Sequence, residues 1–174
     1  MIRHLAFILT IFAAVQCCPV VTAQTLDNTF TLTVPPAMTL TALRGPQFQN
    51  HPNTAANVAF TNSVWMARTA ASNGSTVTFT TDHAFQNVTA PSQKRDVQLR
   101  LPFMFVSPGS GWAFDTNVDQ TDHAIGDEIA MVQVSSQSAG VALIFMNVTF
   151  ITGDISSLAG GTYEVTVTGT ISEN

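Results

Sequence analysis

Apolar and polar residues alternate with a period of two along much of the chain, the pattern of a strand with one face in a core and the other in water. Phe30, Leu32 and Val34 alternate with Thr29, Thr31 and Thr33. Beyond Pro35-Pro36 the rhythm resumes with Met38, Leu40 and Ala42 against Thr39 and Thr41, which predicts two strands separated by a proline break. Val77 and Phe79 alternate with Thr76, Thr78 and Thr80 behind Asn73-Gly74, a dipeptide that predicts a hairpin or a tight turn. Near the end, Tyr163, Val165, Val167, Gly169 and Ile171 share one face of a strand whose other face carries Thr162, Glu164, Thr166, Thr168 and Thr170.

Weaker strand candidates lie at about 57–60, 63–68, 97–106, 111–114, 129–134 and 141–151. The run from Val141 to Met146 is nearly all apolar, so it predicts burial on both faces or a central place in a sheet. No window combines a helical period with caps, and β-branched and aromatic residues dominate the apolar set. Many short strands with turn-rich connections predict an all-β fold, an antiparallel β-sandwich. A transmembrane barrel would alternate in the same way, but it needs aromatic girdles at both interfaces, and the Trp and Tyr residues here are Trp65, Trp112 and Tyr163 alone.

The N-terminal stretch 1–23 has the layout of a cleavable secretory signal. Arg3 and His4 precede an apolar run from Leu5 to Val15, and Val21-Thr22-Ala23 supplies small residues before Gln24. The expectation is a single domain over 24–174, secreted, periplasmic or on the cell surface, with no transmembrane span in the mature chain. Cys17 and Cys18 fall inside the signal, so the exported domain would hold together by its core without disulfides. Neither cysteine follows a small residue, since Gln16 precedes Cys17, and this argues against a lipid anchor.

Charge narrows the partners. The chain has 6 Lys and Arg against 11 Asp and Glu, a net charge of -5. Beyond the signal the cations are Arg44, Arg68, Lys94, Arg95 and Arg100, and only Lys94-Arg95 are adjacent. Nucleic acid is therefore not an expected partner, because a duplex-binding surface needs clustered cations to release counterions.

The C-terminal segment LAGGTYEVTVTGTISEN, a Gly-Thr-Tyr turn into a terminal Val/Thr strand, resembles the closing strand of bacterial secreted immunoglobulin-like and pilin-like modules, of which spore coat protein U domains are one example. The stretch VWMARTAASNGSTVTFTTD, a tryptophan-containing strand before a glycine turn and another strand, is similar to the same group. The resemblance implies an immunoglobulin-like or pilin-like sandwich with a surface-assembly role and no catalytic residues to carry over.

Four groups of residues carry the candidate chemistry. Leu26, Phe30, Leu32 and Val34 fall on one parity in a segment set apart by Pro35-Pro36, with Asn28 interrupting the row. Such a strand either opens its own sandwich or pairs with another copy or another surface protein by strand addition. Asp115, Asn117, Asp119 and Asp122 space oxygen ligands as calcium would accept, although Gln120 and Gly126 stand where an EF-hand needs its glycine and its glutamate. A solvated acidic loop is the simpler expectation, and no cofactor is otherwise implied.

Trp112, between Gly111 and Ala113 in a Pro/Gly/Ser-rich stretch, is the candidate for stacking on a glycan or other extracellular ligand, whereas Trp65 in Val-Trp-Met reads as core. His51, His83 and His123 are dispersed, and neither a Gly-x-Ser-x-Gly elbow nor a His-Glu-x-x-His helix is present, so an enzyme is not expected. Asp82-His83 reads as a strand-end pair. Asn73, Asn87 and Asn147 sit in glycosylation acceptor triplets. The leading expectation is an exported, non-enzymatic coat or fibre-type structural protein; the alternative is an extracellular ligand-binding or glycan-binding module, with calcium as its candidate ion.

Overall fold

The computed structural model describes Leu32 and residues 37–174. The expected signal peptide and three residues of the expected assembly strand, Leu26, Phe30 and Val34, lie outside the described residues; Leu32 is exposed and belongs to no strand.

The strands are β1 (Met38–Ala42), β2 (Val58–Ala59), β3 (Ser63–Thr69), β4 (Ser75–Thr81), β5 (Phe85–Asn87), β6 (Lys94–Arg95), β7 (Val97–Val106), β8 (Ala113–Thr116), β9 (Val118–Gln120), β10 (Met131–Ser135), β11 (Gly140–Phe150), β12 (Tyr163–Glu164) and β13 (Val167–Glu173). A first sheet runs β1-β3-β11-β7-β9, with β2 also beside β11; a second runs β13-β4-β10-β8; a small third runs β12-β5-β6. All strand pairings are antiparallel. The fold is an all-β antiparallel sandwich. No helix among the described residues is long and apolar enough to cross a membrane.

Alternation explains the core. In β4 every second residue is buried, so Val77 and Phe79 face inward while Thr76, Thr78 and Thr80 do not. Val132 and Val134 of β10 join them, and Ala67, Leu99, Ala142, Ile144 and Met146 close over them from the first sheet. Each of these side chains is removed from water, and burial of this kind contributes about 25 cal/mol per Å² of apolar surface.

Asn73-Gly74 makes a tight turn but not a hairpin. β3 and β4 belong to different sheets, so the turn carries the chain across the sandwich. Gly74 takes φ +81, and a Cβ there would lie 2.0 Å from the Ser136 carbonyl oxygen. The long C-terminal alternation keeps one face but changes partners. Tyr163 and Glu164 pair with β5, and from Val167 onward the chain pairs with β4. Asp82 marks the change, because its N–H donates to the Thr166 carbonyl at 3.0 Å and its Oδ1 accepts from the Thr166 N–H at 2.8 Å.

The apolar run 141–146 occupies β11, at the centre of the first sheet between β3 and β7. Ala142, Ile144 and Met146 point into the core, and Val141, Leu143 and Phe145 are only half-buried. In β7, one extra residue bulges opposite Phe145–Asn147 and inverts the parity. Leu99 and Leu101 are buried before it, whereas Phe103 and Phe105 are exposed after it.

Candidate functional site

A large groove opens where both sheets end in a strand with one neighbour among the described strands. Among the described residues β1 pairs only with β3, and β13 pairs only with β4. Backbone bonds fix which groups each edge leaves free. Leu43 N–H donates to the Val64 carbonyl at 2.8 Å and Ala70 N–H to the Ala37 carbonyl at 2.6 Å, so bonded pairs fall on odd residues of the first edge. The amides of Met38, Leu40 and Ala42 therefore point away from β3. On the second edge, Asn174 N–H donates to the Gly74 carbonyl at 3.3 Å and Asp82 N–H to Thr166, which turns the amides of Val167, Gly169, Ile171 and Glu173 away from β4.

β1 and β13 touch where Leu40 lies over Gly169. Past Ala42 the chain leaves the sheet edge, and a groove of about 1160 Å³ opens between the sheets. Its wall from the first sheet includes Trp65, Met146 and Phe150; opposite them stand Phe85, Tyr163 and Val167. The aromatic rings support one another. Phe85 meets Phe150 at 5.1 Å between ring centroids, and Phe150 meets Tyr163 edge-on at 5.5 Å. Trp65 packs on Phe79 at 5.2 Å, and its buried indole Nε1 has no hydrogen-bond partner.

Residues 44–53 border the mouth as a strap with two ties. Gln47 Nε2 donates to Ser63 Oγ at 3.2 Å, and His51 Nε2 lies 3.0 Å from Thr152 Oγ1. The Asn53 N–H donates to His51 Nδ1 at 3.1 Å, so Nδ1 is the acceptor and Nε2 carries the proton. Phe48 stands out of the strap, exposed.

Two expectations about the candidate residues are corrected. Trp112 is only 6% exposed and belongs to the core, so it offers no face to a ligand. The tryptophan that lines an open surface is Trp65, which the sequence places inside: β3 runs next to the edge of its sheet, and β1 stops beside it. The acidic residues likewise do not converge. Asp115 lies on β8 and Asp119 on β9, strands of different sheets. Asp115 Oδ1 accepts from Ser135 Oγ at 2.9 Å, and Asp119 accepts from the Gln120 N–H at 2.9 Å and the Met131 N–H at 2.7 Å. Asn117 gives its carbonyl to the Leu101 N–H at 2.7 Å, and Asp122 bridges to Asp127 through backbone. Among the described residues no three or more His, Cys, Asp or Glu side chains gather as a metal site.

The histidines are held separately. His83 lies beside Asp82 with its Nδ1 2.6 Å from the Ala84 carbonyl, and His123 Nδ1 meets Asp96 Oδ1 at 2.8 Å. Lys94 pairs with Glu128. Asn87 is buried and accepts from the Thr89 and Ala90 amides, which makes this acceptor triplet a structural turn.

Phe60, Phe85 and Phe150, central to the groove, carried no expectation beyond packing. They come from separate elements, and no local spacing joins them. Comparison with protein-family models, curated proteins and solved structures finds no match to the chain.

Proposed function

We propose that the protein is an exported, non-enzymatic structural subunit of a surface coat or fibre-type assembly, and that its groove receives residues 24–34 of a neighbouring copy as an added strand. The observation that carries this reading is an apolar groove that opens where β1 ends, bordered by Ser63 and Trp65 of β3 and by Val167 of β13, on the side of both sheets where no further strand pairs among the described residues. An inserted strand would find backbone partners and side-chain pockets in the same place, the combination that makes strand addition both tight and registered. Leu26, Phe30, Leu32 and Val34 supply apolar side chains at alternate positions, and Pro35-Pro36 sets that segment off from β1. The similarity of the C-terminal segment to secreted pilin-like modules points the same way. A ligand-binding role would have to use the groove as well, since Trp112 is in the core.

The test is light scattering coupled to size exclusion on residues 24–174 and on a chain lacking 24–34, both over a range of concentrations. The expected result is a ladder of multimers from the first and a folded monomer from the second, with added 24–34 peptide shortening the ladder. A monomer from 24–174 at every concentration overturns the reading. An unfolded deletion chain does so too, because it would make 24–34 part of its own fold.

A further inference from the structure

The edge of the first sheet opposite the groove is only partly covered. β9 covers β7 only over Gln98–Arg100, and the Leu101 N–H reaches the Asn117 carbonyl. Beyond the bulge nothing among the described strands pairs with that side of β7. The Ser107 N–H donates to the Val141 carbonyl at 2.9 Å, so the amides of Phe103 and Phe105 face β11 and those of Met104 and Val106 face outward.

The outer face of this edge is aromatic. Phe103 stacks on Phe145 at 4.3 Å between centroids, and Phe105 meets both rings edge-on at 5.7 Å. Phe103 and Phe105 are 41% and 63% exposed, in the one stretch where the bulge turns them away from the core. An unpaired edge with a flat apolar face is a template for another strand.

We infer that this edge pairs with the same edge of a second copy, antiparallel and about a two-fold axis at Phe105. Met104 then lies opposite Val106 of the second copy, and both supply outward amides to the bonded pair. The two Phe105 side chains meet at the axis as a non-hydrogen-bonded pair on the outer face, where opposed side chains approach most closely. Charge selects this occupant. From Leu101 to Phe114 the sequence holds no Asp, Glu, Lys, Arg or His, so an isologous contact sets no like charges against each other in a chain of net charge -5. The lack of cations there likewise gives an anionic lipid surface or a nucleic acid nothing to bind.

Pro102 and Pro108 bound the edge, which keeps it short and makes a closed dimer rather than an extending sheet. Between the prolines the pairing spans only residues 103–107, far fewer than the roughly 20–30 residues a side of a stable complex, so the dimer is concentration-dependent. This surface is separate from the groove and does not depend on the strand exchange proposed above.

Phe105→Cys in the full chain, with Cys17→Ser and Cys18→Ser, tests it by oxidation and non-reducing electrophoresis. The expected product is a covalent dimer and nothing larger, absent when Thr41→Cys, exposed on the opposite edge, replaces Phe105→Cys. Adding Val106→Pro removes an outward N–H and no bond to β11, and it should abolish the crosslink without shifting the unfolding curve. Should that variant unfold, Phe105→Lys, at an exposed position, replaces it, with loss of dimer by sedimentation at high concentration as the readout. No dimer from Phe105→Cys, equal crosslinking from Thr41→Cys, or persistence of the dimer in the folded blocking variant overturns the proposal. Because residue 105 is remote from the groove, a crosslinked dimer in a chain that forms no ladder separates this contact from strand exchange.

Discussion

Leu40 packs onto Gly169 so closely that a Cβ on the glycine would fall 2.8 Å from Leu40 Cδ2. The edge strands of the two sheets touch here without pairing, and the groove opens where the contact ends. Gly169 thereby sets how far the sheets close at this side. Gly169→Val should lower stability by about 1–3 kcal/mol, as overpacking does. The fully buried Phe79 ring, already 3.1 Å from that Cβ position, has no room to retreat. Gly169→Ala should cost less, because the end of the Leu40 side chain can rotate. Urea denaturation midpoints of the two variants check the order; equal midpoints for valine and wild type would remove the role given to this contact.

The two tryptophans should report different places. With Trp112→Phe the remaining Trp65 faces the groove, and with Trp65→Phe the remaining Trp112 is in the core. Acrylamide should quench Trp65 more readily than Trp112, and the 24–34 peptide should shift the emission of Trp65 to the blue while leaving Trp112 unchanged. A peptide response carried by Trp112 instead would move the binding site away from the groove.

At Gly74 the backbone excludes any side chain. A left-handed φ costs a non-glycine residue on the order of 1 kcal/mol or more, and a Cβ 2.0 Å from the Ser136 carbonyl adds a clash with main chain. Gly74→Ala should therefore destabilise by more than about 3 kcal/mol, in the range where a named structural fault is required. Asn73→Ala beside it, at an exposed position, should cost under about 1 kcal/mol. Thermal unfolding of the pair separates backbone geometry from turn composition.

Strand existence was legible where alternation was long. β1, β4 and β13 follow the Thr-spaced rows closely, because a half-buried strand writes its two faces directly into the sequence. Partners and parity were not legible. Asp82 diverts the 163–171 row from one sheet to another through two hydrogen bonds, and the β7 bulge exposes Phe103 and Phe105 although the apolar row Val97, Leu99, Leu101, Phe103 and Phe105 runs unbroken through the sequence. The groove was hidden for the same reason: Trp65 is half-buried only because β1 ends at Ala42 beside it, a fact of topology rather than of its neighbours Val64 and Met66. Trp112 misled in the opposite direction, since a Gly/Pro/Ser-rich stretch suggests exposure and its ring nevertheless packs in the core.

Acid should loosen one wall of the groove through Asp154. Its carboxylate caps the short 3-10 turn Ile155–Ser157, accepting from the Ser156 N–H at 2.9 Å and the Ser156 hydroxyl at 2.8 Å. The backbone N–H bond, then the hydroxyl bond, hold its pKa below the ordinary carboxylate value, with Arg95 adding to them and partial desolvation opposing. A folded pKa below the unfolded one means that the capped carboxylate stabilises the fold above the unfolded value, and that this contribution is lost as pH falls through the folded value. Ile155 and Leu158, on either side of the turn's core, line the groove, so the loss should be felt there. Asp154→Asn should be less stable than wild type at neutral pH, and the difference should close on acidification. An NMR titration of the Asp154 carboxyl checks the cause: a midpoint at or above that of an unstructured Asp peptide would contradict the capping argument, whereas a lower one, rising in Ser156→Ala, would support it.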